Sequence, residues 1–338
     1  MNTNMSLPDA AHLRETTAPY LNGLVHVTPI TSREGQVLGN NGDTLMHSVF
    51  LSLLESWGVK LTSDPTRADA IVVPPNGALL EKYSYPGILA ERLLGHENLP
   101  VVIFPSSALF TSQDPSFMFA GRSAPSVWIL REQHSLDALV RDWGEQLRSA
   151  GVVLVSDHDV VASGHEHVPG ILGSPVDERH VLIAARVDAE APGAGGARRD
   201  QAPSLVRRAF HALPYGRLST AAARRARAAK LRAAADRLVA RLPDELRLEV
   251  GNASARRFVR VDASANQFCT FEEYASLIRG AEVVVTDRLH VGLPAAVLGK
   301  RVIIVEAGYH KLGGVYRRSL AHLPNVSFVP GPSEEGRG

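Results

Sequence analysis

Ala281-Glu-Val-Val-Val-Thr-Asp-Arg-Leu-His290 runs on into Val291-Gly-Leu-Pro-Ala-Ala-Val-Leu-Gly-Lys300 and Arg301-Val-Ile-Ile-Val-Glu306. Glu282–Thr286 and Arg301–Glu306 are β-branched runs without polar alternation, as expected of strands buried on both faces. The small-residue segment between them, ending near Leu298, has helical length. A strand, a helix and a second strand in that order belong to a parallel sheet covered by helices.

The same rhythm extends outward. Strands are predicted at Leu24–Pro29, Ala70–Val73, Val101–Pro105, Val127–Leu130 and Val152–Val155, then at His180–Ala185, Phe258–Val261 and Val326–Phe328. Thr44–Trp57 carries Leu45, Val49, Leu53 and Leu54 at helical spacing, and Leu136–Leu147 and Phe271–Arg279 are further helices. Two such sets predict an α/β protein of two doubly wound domains with a cleft between them. A length of 338 residues agrees with two cores. Gly and Pro cluster at Val168-Pro-Gly-Ile-Leu-Gly-Ser-Pro175, which places the domains at 21–172 and 173–330, with polar tails at 1–20 and 331–338.

Composition narrows the class. Apolar residues make up 45% and charged ones 21%, a globular balance, and the apolar runs are too short to span a bilayer. The N-terminus lacks a basic stretch followed by an apolar segment, so no secretory signal is expected. The lone Cys269 cannot form an internal disulfide, and the expectation is a cytoplasmic protein with that thiol packed in a core. The net charge of +1 favours no partner, and neither aromatic interleaving nor a nucleic-acid motif is present.

Charge is nevertheless uneven. Residues 198–241 are rich in arginine, and Ala228, Leu231, Ala235, Leu238 and Leu242 form one apolar helical face, with Arg224, Arg225, Arg227, Lys230, Arg232, Arg237 and Arg241 on the others. Helix 221–242 is either a solvated surface helix or a docking face for an acidic partner, a membrane surface or a lipid-linked phosphate.

Chemistry concentrates at strand ends. Asp287, Arg288 and His290 follow the strand ending at Thr286, where ligands bind in open α/β sheets. Arg288 can hold a carboxylate or phosphate, and His290 suits proton exchange near neutrality. Pro294 leaves two alternatives: it kinks a helix starting at Asp287, or it occupies the first turn of a later one. Asn40-Asn41-Gly42-Asp43 precedes the Thr44–Trp57 helix, where Gly42 permits close approach of backbone and Asp43 is a good N-cap. Arg186, trailed by Asp188 and Glu190, follows the His180–Ala185 strand. Asp157-His158-Asp159 and His165-Glu166-His167 read as solvated loops, and no metal site is predicted. Phosphate loops, dinucleotide fingerprints and nucleophile elbows are missing.

In order and spacing, these pieces resemble the polysaccharide pyruvyltransferase family, in its exopolysaccharide branch. The resemblance rests on Asn40–Asp43, on Val283–Val305 with its Thr-Asp-Arg-Leu-His core, and on Tyr309-His310-Lys311 followed by Gly314-Val315-Tyr316. Val102-Ile-Phe-Pro105, Arg131-Glu-Gln-His-Ser135 and Arg186-Val-Asp-Ala-Glu190 add to it. It spans roughly residues 36–320. Pro74-Pro75-Asn76-Gly77-Ala78 departs from it, standing where a Gly-Gly-rich turn is common.

The resemblance implies two Rossmann-like domains facing a cleft, similar to B-type glycosyltransferases (GT-B). It implies transfer of the enolpyruvyl group of phosphoenolpyruvate, the donor substrate, to sugar hydroxyls of an exopolysaccharide or its lipid-linked or nucleotide-linked precursor, with no cofactor. The product is a pyruvate ketal, and phosphate is released. The donor-binding roles fall on Arg288, Leu289 and His290, with Arg186 as a further arginine. His290 and Asp43 are the expected catalytic residues, with Asn40, Gly42, Asp188 and Lys311 supporting them or serving the acceptor. Membrane contact through helix 221–242, at the inner face, is a further expectation. A nucleotide-sugar glycosyltransferase of the same shape is the alternative.

Overall fold

The computed structural model describes residues 7–31, 39–176, 179–187, 216–254, 257–266, 269–306 and 311–331, with 216–227 described by backbone only. The first half carries β1 (Leu24–Val27), β2 (Lys60–Thr62), β3 (Ala70–Val73), β4 (Leu79–Leu80), β5 (Val101–Ser106), β6 (Ala108–Leu109), β7 (Ser126–Leu130) and β8 (Val152–Ser156). The second carries β9 (His180–Ala184), β10 (Phe258–Val261), β11 (Ala281–Thr286), β12 (Arg301–Val305) and β13 (Val326–Val329). Every strand expected from the sequence lies within two residues of its place.

Two parallel sheets result, in the orders β2-β1-β3-β5-β7-β8 and β10-β9-β11-β12-β13, and β4 pairs with β6 beside the first. The period of two along each strand divides the core. Ile71, Val73, Ile103 and Trp128 face one layer, while Val72, Val102, Phe104 and Val127 face the other. In the second sheet Val181, Ile183, Val283 and Val285 pack on Ala234, Ala235 and Leu238 of the Gly216–Ala240 helix. Leu182, Ala184 and Val284 face inward, joining Val25, Leu45, Val49 and Phe50 in one apolar cluster that runs through both halves. Truncating such a residue, as in Phe50→Ala, costs about 3–5 kcal/mol, so this cluster ties the halves together.

In each sheet the first strand in sequence lies between the second and third, so the winding direction reverses between β1 and β3 and again between β9 and β11. A crevice opens beyond the strand ends at such reversals. Asn41 helps hold the two crevices together: its Nδ2 donates to Ala263 O and Cys269 O, both at 2.8 Å, and its backbone N–H donates to Ser264 O at 3.0 Å.

Some features differ from expectation. Within the expected tail 1–20, Ala11–Thr17 is helical, with Leu13 and Thr17 buried and His12 Nδ1 2.8 Å from Asp157 Oδ2. Its short apolar content is enough because it caps the shared core rather than forming one. β2 was not anticipated because Lys60-Leu-Thr is an edge strand without an apolar pattern. A further helix, Tyr85–Leu93, carries Pro86 in its first turn, where no N–H is needed. In the arginine-rich segment, Ala235, Leu238 and Leu242 are buried while Arg232 and Arg237 face solvent and Ala228 is exposed. No helix among the described residues is long and apolar enough to cross a membrane.

Candidate functional site

The two sheets present their reversal points to one cavity of about 650 Å³. Pro29 and Ile30 reach it after β1, the Pro74–Ala78 turn after β3, and Arg131 after β7. Arg186 reaches it after β9, and Asp287, Arg288, Leu289 and His290 after β11. That volume is in the range of small-molecule sites.

On the second sheet the arginines are fixed from beneath. Thr286 Oγ1 donates to Ala184 O at 2.8 Å and accepts from the Arg288 N–H at 2.9 Å, clamping the ends of β9 and β11 together. Arg288 Nη2 donates to both carboxylate oxygens of Asp262, at 2.9 and 2.7 Å. Both side chains are buried, so the guanidinium is held in one place. Asp287 Oδ1 accepts the Arg186 backbone N–H at 2.8 Å. Burial pushes the Asp287 carboxyl up from its ordinary value, and that N–H pulls the other way.

His290 owes its pose to a broken helix. Leu289–Val297 starts after Arg288, His290 has non-helical angles (φ −84°, ψ 29°), and Pro294 lies inside. Both sequence alternatives are therefore partly realised: the proline is interior, but the break falls at His290 rather than at the proline. Lacking an N–H, Pro294 cannot bond the carbonyl of His290 four residues back. That carbonyl accepts the Tyr274 hydroxyl instead. The ring is held separately, with Nε2 3.1 Å from Asp159 Oδ2.

Asp159 is fully buried at the end of β8 and also accepts from Arg131 Nη1 at 2.9 Å and from the Val161 N–H at 3.0 Å. Burial alone would raise its pKa, but His290 and Arg131 outweigh it and hold the carboxyl well below the usual range. An ionised carboxylate only accepts, so in this contact the proton lies on Nε2 of His290.

Asn40–Asp43 forms a capping box: Asn40 Oδ1 accepts from Gly42 N–H at 2.8 Å, and Asp43 Oδ2 accepts from Asn40 N–H at 2.9 Å. Asn40 and Asp43 line the cavity. Gly42 does not, but a Cβ there would lie 2.6 Å from the Cβ of His290. Only glycine lets the Asn41–Ser56 helix approach the histidine so closely. Lys311 crosses from the second half to donate to Gly77 O at 3.0 Å.

Asp188, Glu190, Tyr309 and His310 fall outside the described residues. Arg131, Asp159, Asp262 and Tyr274 were not anticipated as site residues. Asp157-His158-Asp159 was expected to be a solvated loop, yet Asp157 and Asp159 are buried and the three diverge: Asp157 meets His12, His158 meets Ser319 at 2.9 Å, and Asp159 meets His290. Their position at a strand end was the usable signal. Burial pushes the Cys269 thiol up to about 11, in keeping with a core residue.

Residues 259–308 match the family model for polysaccharide pyruvyl transferase, a segment running from β10 through β12 and so including Asp262, Tyr274, Arg288 and His290. No curated protein matches the sequence. The fold is similar to the crystal structure of a functionally uncharacterized protein from Klebsiella pneumoniae subsp. pneumoniae NTUH-K2044. The two share 16% identity and a TM-score of 0.54, over 97% of this chain and 100% of the other.

Proposed function

We propose that the chain transfers pyruvyl from phosphoenolpyruvate to a pair of hydroxyls on a glycan or glycan precursor, working between two Rossmann-like domains in the manner of GT-B enzymes. The observation that carries this reading is the convergence of Arg186, Arg288 and His290, distant in sequence, on the wall of one cavity inside and beside the segment that matches the family model. A donor carrying a carboxylate and a phosphate calls for more than one fixed cation, and Arg186 and Arg288 supply two.

One acceptor hydroxyl adds to C2 of the donor while C3 takes a proton and becomes a methyl group. A second hydroxyl then displaces phosphate from C2, closing the ketal. His290, with its Nε2 proton committed to Asp159, exchanges protons through Nδ1. Arginine charge stabilises the departing phosphate. Asp43 is the candidate base for the acceptor hydroxyl, through the carboxylate oxygen not used in the capping box. A cytoplasmic reaction is part of the same reading.

Thermal unfolding with and without phosphoenolpyruvate tests the donor, because a ligand selective for the folded state raises its stability. Acceptor-dependent phosphate release from phosphoenolpyruvate, abolished in a folded His290→Ala protein, is the expected result. Nucleotide release from a sugar nucleotide instead would assign the site to glycosyl transfer, and full activity of His290→Ala would remove the histidine from the mechanism.

A further inference from the structure

Two pairs of cations line the cavity. Arg186 and Arg288 belong to the end of the second sheet. Arg131 and Lys311 meet over the Pro74–Ala78 turn, and Arg131 shares the Asp159 Oδ2 atom with His290. A Cβ placed on Gly77 would lie 3.1 Å from Lys311 Nζ and 3.4 Å from Arg131 Nη2, so both head groups border one small space that glycine leaves empty.

Arg131 is 3% exposed and rigidly held: Nε donates to Ser107 Oγ at 2.9 Å, and Nη1 donates to Asp159 at 2.9 Å and to Met46 Sδ at 3.4 Å. Its Nη2 makes no hydrogen bond among the described residues and faces this space. The turn is equally fixed, with Asn76 Nδ2 donating to Pro74 O at 2.9 Å and Asn76 Oδ1 accepting the Ala78 N–H at 2.9 Å. With Nε and Nη1 engaged, Nη2 is the edge of the guanidinium that opens to the cavity and can donate to a ligand there.

We propose that Arg131 and Lys311, at the Gly77 turn, form a second anion subsite that receives a negatively charged group on the acceptor sugar. The inference rests on the pyruvyl-transfer reading, since it assigns Arg186 and Arg288 to the donor and leaves this pair to the acceptor. A planar guanidinium edge beside an ammonium fits the oxygens of a phosphate or a carboxylate. An uncharged sugar has no use for them.

The test is calorimetric titration of glucose 1-phosphate, glucuronate and glucose into the protein saturated with phosphoenolpyruvate. Both charged sugars are expected to bind at least about tenfold more tightly than glucose, and their order tells phosphate from carboxylate. Lys311→Met should abolish that preference while its affinity for phosphoenolpyruvate stays within about twofold of the wild type. Arg131→Lys, which keeps a cation for Asp159, should reduce the preference as well.

Equal binding of glucose and the charged sugars overturns the proposal. So does a Lys311→Met protein whose phosphoenolpyruvate affinity falls as far as its sugar affinity, because the pair would then serve the donor. If phosphoenolpyruvate does not bind at all, the pyruvyl-transfer reading fails, and the same sugar titrations without it still report on the subsite.

Discussion

The hydroxyl of Tyr274 donates to the main-chain carbonyl of His290, the carbonyl that Pro294 leaves without a helical partner. A proline that would merely kink a helix elsewhere here exposes an acceptor, and a buried tyrosine on the neighbouring Phe271–Gly280 helix uses it to fix the backbone of the candidate proton-transfer residue.

Removing that hydroxyl in Tyr274→Phe strands a buried carbonyl, at a cost of about 1–3 kcal/mol in stability. Pro294→Ala restores an N–H to the helix and should recover part of the loss in the double variant. A double-mutant cycle by denaturant unfolding measures this. Strictly additive losses would show that the tyrosine and the proline are not coupled through His290.

Gly42→Ala is expected to disturb function more than folding. Its methyl group would press on the Cβ of His290 at 2.6 Å, and something must shift. Small-to-large changes in tight places cost about 1–3 kcal/mol, and a displaced imidazole of even 1 Å lowers turnover by about a hundredfold. Comparing kcat and thermal midpoint for this variant separates the two. A variant with wild-type kcat would mean that the close contact plays no part in positioning the ring.

Arg288→Lys keeps the charge but loses the planar group whose Nη2 bridges both oxygens of Asp262. Phosphoenolpyruvate affinity should fall by about tenfold or more, one charge-assisted bond being worth about 1.5–3 kcal/mol. The fold should survive, since a cation still faces Asp262. Calorimetry on the refolded variant reads the affinity directly, and an unchanged Kd would take Arg288 out of the donor site.

The sheets were legible because buried parallel strands are written as unbroken runs such as Val283-Val-Val285 and Val302-Ile-Ile-Val305. Arg288 and His290 were legible because a strand end places them. What was hidden is whatever depends on the partner half. Asp159 looks like a loop acid until Arg131 and His290 close over it, and Asn41 looks like a spare residue of the capping box until its amide is seen to bond Ala263 and Cys269. Arg131 stands in a recognisable motif, but its place beside Lys311 shows only once Lys311 of the second half reaches Gly77. Local sequence records local structure, and pairings across 28 to 228 residues leave no such trace.

Asp159 gives the last prediction its sign. Its folded pKa lies below the unfolded value because His290 and Arg131 outweigh the burial penalty. Between the two values the unfolded chain binds the extra proton, so stability rises with pH there. The contribution is fully present above about pH 4, the unfolded carboxylate value, and is lost as pH falls through the folded value. Glu132 and Asp287 act in the opposite direction, since burial raises both and their effect is a loss of stability as pH climbs past the same unfolded value. The difference between wild type and Asp159→Asn isolates the one from the others. At neutral pH the variant should be less stable by about 3–5 kcal/mol, the usual consequence of breaking a buried pair. The gap should narrow steadily as the buffer is taken below pH 4 in urea unfolding experiments. A gap that stays constant across that range would mean that Asp159 is not ionised against His290 and Arg131, and the assignment of the exchangeable proton to Nδ1 would fall with it.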